Sequence, residues 1–319
     1  MHCSYLWRGL LAVALVAGAA RNHSQSSYST AQAPPSYGFT IPVDEVSLTF
    51  HASGADGHAI TDLKQTDLSV LDNLRQPSRI VAFELLHDAP IRAGILLDTS
   101  ESMGPSIARD QEIAERYVGE FLRPPGDSAF VMSFGFVSKI TQPWSSDRDA
   151  LGVGIRASTA GSANPLGGTS LFDTVFGACL YQFGKSDRPA SGNFIVLFTD
   201  GEDNSSHVDL KSTVDTCQRS NTAIYAFRPK ASDSSTGPKN LEQLTSQTGG
   251  RVFIVQGSNA EIENNLSAME SDQRNRYWLV YRPADLKHDG AFHEIYVGTP
   301  ERSDNITIDV RSGYYALDR

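Results

Sequence analysis

Cysteine is scarce in this 319-residue chain: only Cys3, Cys179 and Cys217 occur, and no two form a C-x-x-C pair. That excludes a zinc ribbon and a disulfide-dense scaffold. The eight histidines include no H-x-x-x-H pair, which argues against a helical zinc site. No G-x-S-x-G elbow occurs, so the usual hydrolase nucleophile is missing. Positive charge is in deficit: 27 Lys+Arg against 37 Asp+Glu give a formal charge of −10. Without a basic block, nucleic acid and anionic lipid are poor main partners, whereas a cation is not disfavoured. No internal repeat is visible. After the first 20 residues, no apolar run approaches the length of a membrane span.

What is present is an ordinary globular composition, 40% hydrophobic and 20% charged, over a length that fits about two domains. The N-terminus reads as an export signal over 1–20. Arg8 precedes the apolar run Leu10–Ala17, and the small residues Gly18-Ala19-Ala20 follow. An uncleaved anchor is the alternative. Cys3 precedes the apolar run, which argues against a lipoprotein. Residues 21–42, rich in Ser, Gln and Pro, read as a flexible linker.

Both ends of the remaining chain carry strand patterns. In 43–90, Val46, Leu48 and Phe50 alternate with polar residues, Asp56-Gly57 marks a turn, and Leu68, Val70 and Ile80–Phe83 continue the pattern. In 276–319, Arg276–Arg282, Phe292–Val297 and Ile306–Val310 alternate, with turns at Asp289-Gly290 and near Thr299-Pro300. Neither end has enough strands to bury a face alone, so the two are expected to share one β-sandwich. The middle, 91–275, changes period. Ile91–Leu97 and Phe194–Phe198 are near-continuous apolar runs, as in parallel strands covered on both faces. Further strands are expected at Ala223–Phe227 and Val252–Val255. Helices are expected over 106–122, 170–184, 208–220 and 239–247, with a hairpin at 128–142. The predicted fold is α/β: a doubly wound, mostly parallel sheet inserted into a small flanking β-sandwich.

Ligands of such sheets bind beyond the carboxyl ends of the strands. The first apolar strand ends in Asp98-Thr-Ser100-Glu-Ser102-Met103, and the second in Thr199-Asp200-Gly201. Between them, Gly167-Gly168-Thr169-Ser170 opens a helix. Asp98, Ser100, Ser102, Thr169 and Asp200 are therefore the candidate site. Two carboxylates and three hydroxyls form a hard-oxygen set suited to Mg²⁺, Mn²⁺ or Ca²⁺ and not to Zn²⁺. Neutral hydroxyls leave such an ion under-neutralised, so it attracts one more anionic oxygen.

These three pieces, in this order, resemble the von Willebrand factor type A domain. All five positions match that family's metal-ion-dependent adhesion site, and the likeness covers roughly 91–275. The flanks are similar to a secreted acidobacterial subgroup whose closing hairpin ends in Gly-Tyr-Tyr, here Gly313-Tyr314-Tyr315. The resemblance implies a binding site and not a reaction centre. Hydroxyl oxygens touch the metal, the aspartates often act through water, and a protein partner's Asp or Glu completes the coordination.

Other readings stay open. Ser100 or Ser102 could cap the following helix, and Thr169 or Ser170 could cap helix 170–184 with Asp173 as the N3 partner. Glu101, Glu202 and Asp203 read as a solvated acidic loop, and Met103 as core. Cys179 and Cys217, each on an apolar helix face, read as buried free thiols, although export permits a bridge. A Mg²⁺-dependent phosphatase or dehalogenase of the haloacid dehalogenase type would want a second carboxylate at position 100, where Ser stands. A periplasmic scaffold or assembly factor on the same fold is the other alternative. The expectation is a secreted or envelope-associated adhesion-type protein without catalysis.

Overall fold

A computed structural model describes residues 45–162, 167–184, 192–230, 236–255, 257–285 and 287–316. The expected signal peptide and linker lie outside these residues. Among the described residues, no helix is long and apolar enough to cross a membrane.

The chain enters through three strands, β1 (Val46–Ser53), β2 (Ser69–Asp72) and β3 (Arg79–His87). It then crosses into the α/β region through β4 (Ile91–Asp98), which is buried nearly throughout. Helix α1 (Ile107–Arg116) follows and widens into a π-helical turn, Tyr117–Phe121. Strands β5 (Ser128–Phe134) and β6 (Ser138–Ser145) form the expected hairpin. Helix α2 (Arg148–Arg156) comes next. Helix α3 (Leu171–Gly177) also ends in a π-helical turn, Ala178–Phe183. The region closes with β7 (Gly192–Phe198), α4 (Leu210–Arg219), β8 (Thr222–Pro229), α5 (Gly237–Thr248), β9 (Val252–Val255) and α6 (Asn259–Arg274). The expected unbroken helices 106–122 and 170–184 are each split by a widened turn. The residues predicted to face the sheet, among them Ile113, Tyr117, Val175 and Phe183, are nevertheless buried.

These strands make one six-stranded sheet in the order β6-β5-β4-β7-β8-β9. Every pair is parallel except the β5–β6 hairpin. From β4 the chain winds to β5 on one side, and β7 lies on the other. This reversal opens a crevice at the carboxyl ends of β4 and β7. Alternate side chains feed two cores. Ile91, Ala93, Ile95 and Leu97 pack with α1 and α6 on one face. Leu96, Ile195 and Leu197 pack with α3, α4 and α5 on the other. Gly94 faces Phe130 so closely that a Cβ would stand 2.5 Å from the ring.

In the second core Cys179 and Cys217 are bonded to each other, which corrects the free-thiol expectation. The apolar stripes of 170–184 and 208–220 face the same sheet surface side by side, which sets the two sulfurs together.

The chain returns through β10 (Asn275–Arg282), β11 (Phe292–Gly298), β12 (Thr307–Val310) and β13 (Gly313–Tyr315). Strand β10 slots between β1 and β3, giving the antiparallel sheet β12-β1-β10-β3, and β11 joins β13 and β2 in a second sheet. Leu48, Phe50, Tyr277, Leu279, Val70 and Ile295 form the core between these sheets. The two β-rich ends of the chain thus complete one another, with the six-stranded region inserted between β3 and β10. The return is anchored by Arg274, which donates to both oxygens of buried Asp127, Nη1 at 3.1 Å and Nη2 at 2.5 Å.

Candidate cation site

Strand β4 delivers Asp98 to the crevice at 1% exposure. Its Oδ1 accepts from the Ser100 backbone N–H at 2.8 Å, and its Oδ2 from the Thr199 hydroxyl at 2.6 Å. Thr199 follows β7 and its Oγ1 accepts from Gly201 N at 3.1 Å, so one hydroxyl fixes both strand ends. Gly201 needs its positive φ of 86°, and a Cβ there would stand 2.3 Å from the carbonyl oxygen of Gly237. Next in the loop, the Asp200 carboxylate turns back on its own chain, Oδ1 accepting from Glu202 N at 3.0 Å.

The two serines do not cap the short helical turn Glu101–Met103. Ser100 makes no capping bond there, and its Oγ lies 3.2 Å from Ser102 Oγ. Met103 is fully buried, as expected, and Glu101 is exposed.

Thr169 is carried by a turn in which Gly167 and Gly168 take φ values of 76° and 89°. A Cβ on Gly168 would come within 2.2 Å of Ser205 Oγ. The Thr169 amide donates to Asn204 Oδ1 at 2.8 Å, and its carbonyl accepts from Asn204 N and Ser205 N, both at 3.1 Å. The turn is therefore sewn to the loop that carries Asp200. On its other side Ser170 N donates to Gly135 O at 2.8 Å, beside the end of β5 that pairs with Asp98.

The expected capping box on α3 does not form. Ser170 Oγ donates to Phe136 O at 3.0 Å, and Asp173 accepts from the backbone of His207 and Val208. Asp203 accepts from Phe172 N at 2.9 Å, and Ser206 Oγ accepts from Asp173 N at 3.0 Å. Glu202 likewise accepts from Gly237 N at 3.0 Å at the start of α5. Glu202 and Asp203 are thus helix-terminal acceptors, not a solvated acidic loop, because the 201–209 segment passes over the N-termini of two helices whose amides need partners.

The electrostatics of the crevice are unfavourable for anions. Burial pushes the Asp98 carboxyl up to about 6, and the nearby Asp200 charge adds to this, against the hydrogen bonds from Ser100 and Thr199. Burial and then the Asp98 charge push Asp110 on α1 up to about 7. Asp110 is 2% exposed, and its Oδ2 has no hydrogen-bond partner among the described residues. The sequence reading passed over Asp110, Thr199 and Asn204. Asp110 did carry a signal, as a carboxylate on the same helix face as Ile113, Ala114 and Tyr117.

A hard cation would reverse this repulsion, and the donor chemistry fits one. Thr169 Oγ1 and Asp200 Oδ2 make no hydrogen bond to any described residue, and Ser102 Oγ meets only Ser100 Oγ among them, while the Ser100 hydroxyl also supports the Asp98 carboxylate. Among the described residues, no three His, Cys, Asp or Glu side chains cluster to hold a metal. Any ion here would therefore depend on hydroxyl oxygens, as hard alkaline-earth ions tolerate and softer ions do not favour.

Residues 94–202 match the family model of the von Willebrand factor type A domain. No curated protein matches the chain. Among solved structures, BatB from Bacteroides thetaiotaomicron is 13% identical with a TM-score of 0.46, over 56% of this chain and 97% of that one. A von Willebrand factor type A protein from Catenulispora acidiphila is 14% identical with a TM-score of 0.46, over 74% and 73% of the two chains. Proximal thread matrix protein 1 from the mussel byssus, solved with a zinc-occupied MIDAS motif, is 15% identical with a TM-score of 0.48. That match covers 63% of this chain and only 50% of the mussel protein.

Proposed function

We propose, from the match of residues 94–202 to the von Willebrand factor type A domain, that the chain is an exported, non-catalytic binding protein. In this reading Asp98, Ser100, Ser102, Thr169 and Asp200 hold one divalent cation. Mg²⁺ is the preferred ion, with Mn²⁺ and Ca²⁺ able to replace it. The observation that carries the reading is that Thr169 Oγ1 and Asp200 Oδ2 have no partner among the described residues, and Ser102 Oγ only Ser100 Oγ, around the buried Asp98 carboxylate. When bound, the cation supplies an exposed positive centre that attracts an Asp or Glu carboxylate of a protein partner.

The chain's own residues have defined parts. Thr199 and the Ser100 amide orient Asp98, Asn204 fixes the Thr169 turn, and the hydroxyls offer neutral oxygens. Because the hydroxyls add no charge, a partner carboxylate is needed to complete neutralisation. No nucleophile–base pair and no third, acid-donating carboxylate belongs to the five residues, which supports binding over turnover.

Export rests on the N-terminal pattern of 1–20 and is supported by the Cys179–Cys217 bridge, a bond that persists in oxidising compartments. The test is a pull-down from envelope extract with and without EDTA. A partner captured only with the divalent ion present supports the reading. Phosphatase turnover that depends on Asp98 would overturn it in favour of a haloacid dehalogenase-type hydrolase.

A further inference from the structure

Helix α1 buries a carboxylate within an apolar stripe. Asp110 shares its face with Ile113, Ala114 and Tyr117, which pack on β4, and it is only 2% exposed. Among the described residues, its Oδ2 has no donor and no Arg, Lys or His pairs with it. The one charge acting on it is that of Asp98, of like sign. An ionised carboxylate buried without a counter-charge or a hydrogen bond is strongly destabilising, and an apolar residue would pack better at this position. No described residue offsets that cost, whereas a cation in the crevice would.

The backbone ties Asp110 to that crevice. Met103 N donates to Ser100 O at 3.1 Å, Ser106 N to Met103 O at 2.8 Å, and Asp110 N to Ser106 O at 3.0 Å. Three successive turns thus join Asp110 to the loop that carries Ser100 and Ser102. Side chains of a helix lean toward its N-terminus, which in α1 is the end joined to this loop. None of the hydrogen bonds made by Asp98, Ser100, Ser102 and Asp200 involves Asp110. On the basis of the cation site proposed above, we propose that Asp110 is its outlying third carboxylate, which draws the divalent ion into the crevice through space and is not one of its ligands. It raises cation affinity and leaves the coordination position for a partner's carboxylate open.

The test is calorimetric titration of Mg²⁺ into the full chain, beside urea unfolding in EDTA. Both are run at pH 8, where Asp110, pushed by burial up to about 7, is ionised. Asp110→Asn removes the charge and keeps the shape. It should still bind one Mg²⁺, roughly 10- to 100-fold more weakly than wild type. Its urea midpoint in EDTA should stay at or above that of wild type, because a buried charge is gone. Asp110→Leu, which continues the apolar stripe, is the second variant and should give the same pair of results. Unchanged Mg²⁺ affinity in either variant overturns the proposal and leaves the five-residue site standing. An EDTA midpoint below wild type in both variants, accompanying the weaker binding, would make Asp110 a structural residue and also contradict it. No Mg²⁺ binding by wild type would remove the cation site itself, and this role with it.

Discussion

The Thr199 hydroxyl donates to Asp98 Oδ2 at 2.6 Å, although 101 residues separate the two in the chain. The bond locks one carboxylate oxygen and holds the ends of β4 and β7 at a fixed spacing. Thr199→Val removes the donor but keeps the shape. The expected cost to stability is about 1 kcal/mol. The expected loss of Mg²⁺ affinity is larger, roughly 10- to 100-fold, because a ligand-orienting contact is lost. Calorimetric titration beside urea unfolding separates the two effects. Equal Mg²⁺ affinity in both proteins would show that Thr199 serves only the fold.

Asp127 and Arg274 form a buried pair, their side chains 2% and 5% exposed. Burial alone pushes the Asp127 carboxyl up. Arg274 and the amides of Ile91 and Arg123 outweigh that and hold it below the ordinary carboxylate range. The native state therefore releases this proton more readily than the unfolded chain does. The stabilisation is complete above the unfolded pKa near 4 and disappears as pH falls through the lower folded value. Asp127→Asn removes the close charge partner of Arg274, leaves it only Glu270 at 3.6 Å from its Nε, and is expected to cost up to roughly 3–5 kcal/mol at neutral pH. It should also flatten the acid limb of the stability curve below pH ~4. Urea midpoints from pH 2 to 7 check both outcomes.

Cys179 and Cys217 are 38 residues apart. On the chain-entropy account, closing a loop of that length stabilises by about 4 kcal/mol. The double variant Cys179→Ala, Cys217→Ala should lose a comparable amount. A reductant should shift the wild-type urea midpoint towards that of the double variant and leave the variant's own midpoint unchanged. Equal midpoints for wild type and variant under oxidising conditions would contradict this.

Much of this was legible in the sequence because it rests on local periodicity. Ile91–Leu97 and Phe194–Phe198 announced buried parallel strands, and alternation at Val46–Phe50 announced a half-buried one. Helices α2 and α6 were not legible. Gly152 and Gly154 break up the α2 pattern, and Gly154 is there because a Cβ would stand 2.4 Å from Gln142 Cβ on β6. In α6 only Ile262, Leu266 and Met269 form the buried apolar stripe, within a largely polar segment. The α3 cap was misread because its acceptors come from Asp203 and Ser206, more than thirty residues away. Local capping rules see only the i to i+3 neighbourhood. The Cys179–Cys217 bond was hidden for the same reason, since it depends on which two helices share a sheet face.

The central claim is that five residues from three separated segments share one divalent cation. Calorimetric titration of Mg²⁺ into the EDTA-stripped, dialysed protein tests it most directly, with Asp98→Ala and Thr169→Ala measured beside wild type. The account predicts one Mg²⁺ per chain in wild type, no measurable binding in Asp98→Ala, and weakened binding in Thr169→Ala, with circular dichroism unchanged in both variants. Mg²⁺ binding of wild-type strength in Asp98→Ala, or no Mg²⁺ binding by folded wild type, would contradict it.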